Sequence, residues 1–237
     1  MFKIRLISNE CISLRVSTLG HSNSIEVRDY VSNSIGDTIQ FIIKDDKIIT
    51  KKKAIVVILD NPSNKVLIET SVRLKELSVK CDIGTDNPMV SISINIPESK
   101  DTLEEIAFDG KLKTDSFTLE GYPNLKTVYF NTFDHTFERK FANCPNLEGA
   151  YVNSHYEQGV NYNYVAENCS NLKCFTVDFV SSISSIKNGF TNCDKLDKIR
   201  GHLDELIISM TRGSGLSTTS SGLNKQTLDR LIAMDID

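Results

Sequence analysis

The sequence has no apolar run of the ~20 residues that a membrane-spanning helix needs, which excludes a span of that kind. Residues 1–16 interleave Lys3, Arg5 and Glu10 with apolar side chains, so they lack the continuous apolar segment of a secretory signal and are typical of a strand. Six cysteines without a signal indicate reduced thiols. We therefore expect a chain without a secretion signal, located in the cytoplasm unless it is carried on a particle.

Catalytic and nucleic-acid-binding patterns are also missing. A net charge of −4 argues against a nucleic-acid partner, because phosphate neutralisation needs clustered Lys and Arg. There is no G-x-S-x-G elbow, P-loop, H-E-x-x-H or C-x-x-C, and the four histidines are far apart. We expect a protein that is not an enzyme, with no catalytic residue, no cofactor and no metal site.

What the chain does have is a repeat. The segment Phe-x-Asn-Cys-x-Asn-Leu occurs at residues 141–147, with close variants at 165–172 and 190–196 and a weaker copy at 120–125. Apolar or small residues follow each leucine three and five positions on. The leucines of the series are Leu103, Leu125, Leu147, Leu172 and Leu196, with a weaker member at Leu74. Their separations of 29, 22, 22, 25 and 24 residues fall within the leucine-rich-repeat period of roughly 20–29 residues.

This spacing has a physical explanation. Positions +3 and +5 after the leucine lie on the same side of a strand, so each repeat supplies one short strand with two inward side chains. One coil cannot bury that face, but about five stacked coils form a continuous core. Pro, Asn, Asp and Gly before the leucine favour a tight turn. The pattern predicts a short solenoid.

Residues 141–152, 165–177 and 190–199, and more loosely 103–130, resemble the BspA-like class of leucine-rich repeats, of the kind found in Bacteroidetes and their phages. The resemblance covers about half of the chain. It implies a right-handed solenoid used in adhesion or protein interaction, without catalytic residues. Many members have long arrays and a secretion signal, whereas this array is short. The resemblance therefore adds assembly into a virion as a second location.

Cys144, Cys169 and Cys193 recur three residues before a repeat leucine. Stacked strands lie ~4.8 Å apart, so equivalent cysteines form a ladder that cannot close tetrahedrally on one zinc ion. Parallel side-chain directions also oppose a disulfide between neighbours. Because cysteine packs as a small hydrophobe, we expect a structural ladder.

The regions on either side of the repeats differ in texture. Residues 1–80 contain strand-like runs, among them 54–59 and 65–69, separated by turn residues, which is typical of a sandwich-like β domain or of a β cap that closes the solenoid. Residues 211–237 combine a Gly- and Ser-rich linker with a short amphipathic helix that either covers the last coil or reaches a partner. The predicted fold is therefore β-rich with few helices: a small N-terminal antiparallel β domain (1–80), a leucine-rich-repeat solenoid (81–210) and a C-terminal helix.

The outward positions of the repeat strands, +2 and +4, define a candidate binding face. Its residues are Glu105, Thr127, Tyr129, Tyr151, Thr176, Lys198 and Arg200. Exposed Tyr and Arg dominate binding hot spots, although the tyrosines equally fit a packing role. We expect a protein partner, a homo-oligomer or a larger assembly, with a glycan as another ligand. The functional hypotheses are a structural or interaction module, for example in a phage tail or capsid, and a surface adhesin or host-contact protein of a bacterium or protist.

Overall fold

The computed structural model shows a β-rich chain. It describes residues 2–18, 25–31, 34–38, 42–44, 47–49, 52–59, 65–82, 89–114, 118–133, 136–138, 141–155, 160–163, 166–179, 183–187, 190–196 and 198–201. Within these ranges the one helical element is a 3₁₀ turn, Pro97–Ser99. The chain divides into two compact units, Met1–Phe117 and Thr118–Asp237. The linker and helix expected over 211–237 lie outside the described residues, so that helix and the domain limits at 80 and 210 remain predictions.

The described residues of the first unit form twelve strands. They are β1 (Phe2–Ser8), β2 (Ser13–Thr18), β3 (Ile25–Val31), β4 (Ser34–Thr38), β5 (Ile42–Lys44), β6 (Lys47–Ile49), β7 (Ala54–Leu59), β8 (Lys65–Glu69), β9 (Leu74–Cys81), β10 (Val90–Asn95), β11 (Glu105–Gly110) and β12 (Leu112–Thr114). Within the unit, one sheet has the order β11-β9-β1-β7-β3-β4 and the other has the order β12-β10-β8-β2-β6-β5.

Hydrophobic alternation explains the first strands. Phe2, Ile4 and Leu6 of β1 are fully buried, and the intervening side chains are half-buried, as expected for a strand with one face on the core. By contrast, every residue of β7 from Ile55 to Leu59 is buried, so both faces of this strand are covered; it pairs with β1 and β3. Strand β1 pairs antiparallel with both β7 and β9.

Later in the first unit the pairing becomes parallel, β9 with β11 and β8 with β10 with β12. Here the weakest repeat of the sequence, with Leu74, Leu77 and Val79 all buried, forms a regular strand. Gly110 has a φ of +96°, and a Cβ at this position would lie 2.2 Å from the carbonyl oxygen of Cys81. Only glycine fits this approach.

The second unit is a β-solenoid of about four coils. Its strands are β13 (Leu119–Glu120), β14 (Thr127–Thr132), β15 (Thr136–Glu138), β16 (Phe141–Ala142), β17 (Gly149–Ser154), β18 (Val160–Asn163), β19 (Ala166–Glu167), β20 (Cys174–Phe179), β21 (Ile183–Lys187), β22 (Phe190–Thr191) and β23 (Lys198–Gly201). Equivalent strands of successive coils pair in parallel, in the orders β23-β20-β17-β14, β13-β16-β19-β22 and β15-β18-β21. A full coil thus contributes three strands, where the sequence pattern predicted one. The two others carry no leucine signature.

Repeat leucines form the centre of this solenoid. Leu125, Leu147, Leu172 and Leu196 are fully buried. Aromatic rings fill the space between coils: the rings of Phe175 and Phe190 pack edge to face, with centroids 4.9 Å apart. This packing buries the inward face that a single coil leaves open.

Asparagine shapes the turn before each leucine. Asn143, Asn168 and Asn192 have φ angles of 53°, 55° and 52°, and the first coil has Gly121 in the same position. Asn tolerates this left-handed region better than most residues. The amides also pair between coils, since Asn168 Nδ2 donates to Asn143 Oδ1 at 2.8 Å and Asn192 Nδ2 donates to Asn168 Oδ1 at 2.7 Å. We call this row the asparagine ladder.

Candidate functional site

Strand direction separates core from surface in β14 and β17. Val128 and Phe130 of β14 are buried, whereas Thr127 and Tyr129, which alternate with them, are exposed. Because β14 and β17 pair in register, Tyr129 lies opposite Tyr151. An outward row on one strand therefore continues directly onto the next coil.

The two tyrosine rings stack on each other. Their centroids are 4.6 Å apart and their planes differ by 8°. Each ring therefore covers one face of the other, and Tyr129 keeps 38% of its surface exposed. Such a pair is a rigid, amphipathic surface, because stacking restricts both side chains and a phenol combines an apolar ring with a polar hydroxyl.

A polar row follows at the next outward position. Asn153 Nδ2 donates to Asn131 Oδ1 at 2.7 Å, and His155 Nε2 lies 2.7 Å from the same oxygen. Asn153 Nδ2 also lies 3.3 Å from His155 Nε2, so the tautomer of the imidazole decides whether Nε2 donates to Asn131 or accepts from Asn153. Asn153 is only 7% exposed, and its Oδ1 is buried without a hydrogen-bond partner among the described residues.

An aromatic row completes the surface. The rings of Phe133 and His155 are tilted by 35°, with centroids 5.4 Å apart. We call the outward surface of β14, β17 and β20, together with Phe133 and His155 directly after β14 and β17, the tyrosine face. It consists of Thr127, Tyr129, Asn131, Phe133, Tyr151, Asn153, His155 and Thr176. No member carries a permanent charge, and each polar member is a hydroxyl, an amide or an imidazole.

The structure brings together only part of the predicted face. Thr127, Tyr129, Tyr151 and Thr176 share one sheet of the second unit, and Tyr151 pairs with Thr176 in register. Lys198 and Arg200 belong to β23 and pair in register with β20, but their side chains lie outside the described part. Glu105 belongs to β11 of the first unit, where it is exposed.

Sequence reasoning missed Asn131, Asn153 and His155. The signal was present in the two-residue alternation, which continues from Tyr129 to Asn131 and from Tyr151 through Asn153 to His155. The pattern was followed only to the fourth position after each leucine, where the apolar repeat ends.

The repeat cysteines lie in the turns of successive coils. Cys144, Cys169 and Cys193 are buried and form no disulfide in the described structure. Each thiol donates to a backbone carbonyl of the preceding coil: Cys144 to Leu119 at 3.4 Å, Cys169 to Phe141 at 3.1 Å and Cys193 to Ala166 at 3.6 Å. Each thiol hydrogen is therefore used in a hydrogen bond to the backbone of the neighbouring coil.

Protonation of these thiols follows from their surroundings. Hydrogen bonding with Cys144, and burial next, raise the pKa of the Cys169 thiol far above its usual range. Burial raises the pKa of Cys193 to about 11. Because the thiolate is the nucleophile and metal ligand, both groups are inert at neutral pH.

The described ranges bring together no group of three or more His, Cys, Asp or Glu side chains that could hold a metal ion. In those ranges, no helix has the length and apolar character to cross a membrane. Comparisons of the chain with protein-family models, with curated proteins and with solved structures found no match.

Proposed function

We propose that this protein is a non-enzymatic interaction module and that the tyrosine face binds a protein partner. The observation that carries the proposal is the stacked pair Tyr129 and Tyr151 on the outer surface of the solenoid. Tyrosine is among the residues that contribute most to binding energy at protein interfaces.

The side chains of Tyr129 and Tyr151 are already ordered before a partner binds, and this supports a protein interface. Association costs about 0.5–1.5 kcal/mol for each flexible side chain that it immobilises. Stacking has already restricted Tyr129 and Tyr151, so little of this cost remains. The hydroxyls of neighbouring Thr127 and Thr176 then provide hydrogen-bonding groups beside the rings, as Ser and Asn do beside Tyr in antibody binding loops.

Ring orientation favours a protein over a glycan at this face. A sugar stacks on the flat face of an aromatic ring, and here one face of each tyrosine is covered by the other ring. The ring edges and hydroxyls suit the mixed polar and apolar surface of a protein. A glycan ligand at this face is therefore an outcome that the experiment below must exclude.

The wider role that we propose is structural, in a homo-oligomer or a larger assembly such as a phage tail or capsid. Its support is the regular solenoid together with the resemblance of residues 141–152, 165–177 and 190–199 to BspA-like repeats, some of which occur in phages. On this proposal the protein is cytoplasmic before it is incorporated into the particle.

Site-specific photo-crosslinking tests the proposal. A benzophenone amino acid is placed at Tyr129 or Tyr151 of the full chain in the cells that produce it, and cross-linked species are identified by mass spectrometry. The control carries the same group at Lys173, an exposed residue of a solenoid turn. We expect one defined protein, or a second copy of this chain, to cross-link from positions 129 and 151 and not from 173.

Substitution provides the energetic test. Tyr129→Ala combined with Tyr151→Ala is expected to weaken binding of the cross-linked partner by at least about tenfold, since truncated hot-spot residues cost about 2 kcal/mol or more. Tyr122→Phe is the matched control, because Tyr122 is buried in a turn. Unchanged affinity, or cross-links only to surface glycans, would reject the proposal and favour the adhesin hypothesis.

A further inference from the structure

A half-open cavity of about 250 Å³ lies in the first unit, far in sequence from the tyrosine face. Ser13 and Arg15 of β2 contribute to its wall, together with Glu69 of β8 and Asn95 of β10. Ser13 and Arg15 alternate with the buried Leu14 and Val16, so they point away from the core. The cavity is therefore on the outer side of the β10-β8-β2 sheet.

A charge pair crosses this cavity. Arg15 Nη1 and Glu69 Oε2 are 3.6 Å apart, and the two side chains retain 48% and 37% of their surface. Asn95 Nδ2 donates to the other carboxylate oxygen, Glu69 Oε1, at 2.7 Å. The carboxylate is held in place, while the guanidinium makes an ion pair that is too long for a good hydrogen bond. Arg15 thus presents donors to the cavity.

Two hydroxyls of the wall differ in how they are satisfied. Thr70 Oγ1 donates to the carbonyl of Ser13 and accepts from the backbone N–H of Val72 at 3.0 Å, so it is fully used. In contrast, the Ser13 hydroxyl is buried and has no hydrogen-bond partner within the described chain. A buried polar group in that state calls for an explanation.

We propose that this cavity binds a neutral polyhydroxylated ligand of the size of one sugar ring. One positive and one negative side chain leave the cavity without net charge, so neither an anion nor a cation is favoured by the field. A sugar hydroxyl can donate to Glu69 and accept from Arg15 through the same oxygen. Rotation of the Ser13 side chain about its Cα–Cβ bond turns its buried hydroxyl towards the cavity, where another sugar hydroxyl supplies the partner that it lacks. Hydrogen bonds to charged groups are the strong ones in such a site.

This inference does not rest on the proposed function, because the cavity and the tyrosine face belong to different units. Loss of sugar binding leaves the tyrosine cross-links unchanged, and loss of the cross-links leaves sugar binding unchanged. The two proposals can therefore fail separately.

Saturation-transfer difference NMR on the full chain tests it. The probes are the methyl glycosides of glucose, galactose, mannose and N-acetylglucosamine, with acetate and methylammonium as charged probes of the same cavity. We expect at least one glycoside to bind with about millimolar affinity, as is usual for a ligand with few heavy atoms. Binding of a charged probe alone, or of none, overturns the proposal.

Variants locate the binding. Glu69→Gln keeps the size of the side chain and removes its charge, and it is expected to weaken glycoside binding by about tenfold or more. Glu104→Gln is the matched control, since Glu104 lies outside the cavity in a similar pair, 3.5 Å from Lys75 Nζ. Ser13→Ala is the second variant and is expected to weaken binding a few-fold. Equal affinity for Glu69→Gln and Glu104→Gln places the sugar elsewhere and overturns the assignment.

Discussion

The two units bury the same kinds of side chain but connect their strands differently. In the first unit, β1 at the beginning of the chain pairs antiparallel with β9, so segments that are far apart in the sequence are neighbours in the sheet. In the described part of the second unit, every strand pairs in parallel with the equivalent strand 22 to 25 residues away. The first unit therefore depends on pairing between strands that are distant in the sequence. The second unit depends on pairing between equivalent strands of successive coils.

This difference has a physical consequence. In a solenoid each coil contacts only its neighbours, so stability is approximately a sum of coil and interface contributions. Pairing between distant segments must first overcome the entropy of closing a long loop. A defect in the second unit should therefore stay local to adjacent coils, whereas a defect in β1 should weaken most of the first unit.

The largest expected effect compares two core truncations. Phe141→Ala removes a fully buried ring from the second unit, and Leu6→Ala removes a fully buried side chain from the first. We expect losses of about 3–5 and about 2–5 kcal/mol in the free energy of unfolding, because each leaves a cavity. Hydrogen exchange read by mass spectrometry should show lost protection around β16 for the first variant and across β1, β7 and β9 for the second. If either variant lost hydrogen-exchange protection equally in both units, the proposed difference between the units would be wrong.

An intermediate effect concerns the asparagine ladder. Asn168→Ala removes both amide contacts and places alanine at a φ of 55°, and we expect a loss of about 1–3 kcal/mol. Asn168→Gly keeps the left-handed conformation and removes only the amides, so its loss in urea unfolding should be smaller. If glycine costs as much as alanine, backbone conformation does not contribute.

The smallest expected effect is on the pKa values of two carboxyl groups, one from each unit. Burial raises the pKa of Glu76 in β9, although Arg5 lies 3.3 Å away and opposes the shift. A hydrogen bond from Lys173 at 3.0 Å lowers the pKa of the exposed Glu148. As pH rises through the acidic range, ionisation of Glu76 therefore disfavours the fold, and ionisation of Glu148 favours it.

Carboxyl NMR titration measures both groups. We expect Glu148 to titrate below Glu76, Lys173→Ala to raise the pKa of Glu148, and Arg5→Ala to raise that of Glu76 further. Salt should weaken the effect at Glu148 more, since that pair is fully in solvent. Titration of Glu148 above Glu76 would contradict the assigned causes.

Sequence reasoning found the parts of the fold that have a periodic signature. The expected strands 54–59 and 65–69 coincide with β7 and β8, and the repeat leucines are buried as expected. Two strands of each coil were missed. The two-residue strands begin at a repeated buried apolar position, Leu119, Phe141, Ala166 or Phe190, but they are too short to show alternation. The strands β15, β18 and β21 lie outside the repeated motif. The mixed pairing of the first unit was also hidden, since alternation shows which face is buried but not which strand is adjacent.

The candidate face was predictable only in part, for a similar reason. Alternation placed Tyr129 and Tyr151 outward, and coil superposition makes them neighbours. Alternation along a single strand does not predict that the two rings stack. It also does not predict the hydrogen-bonded row of Asn131, Asn153 and His155 beside them. The leucine-rich-repeat and BspA-like assignments remain predictions from the quoted motifs.

The equivalent turns at Asn143, Asn168 and Asn192 have a consequence for how such a solenoid can gain coils. Spacings of 25 and 24 residues between these positions, after 22 from Gly121, still leave the leucines buried and the strands in register. Because Asn168 in the middle of the ladder donates to Asn143 and accepts from Asn192, an added copy of the segment meets complementary groups on either side. Duplication of a single coil in the gene would therefore extend the solenoid without any compensating mutation elsewhere.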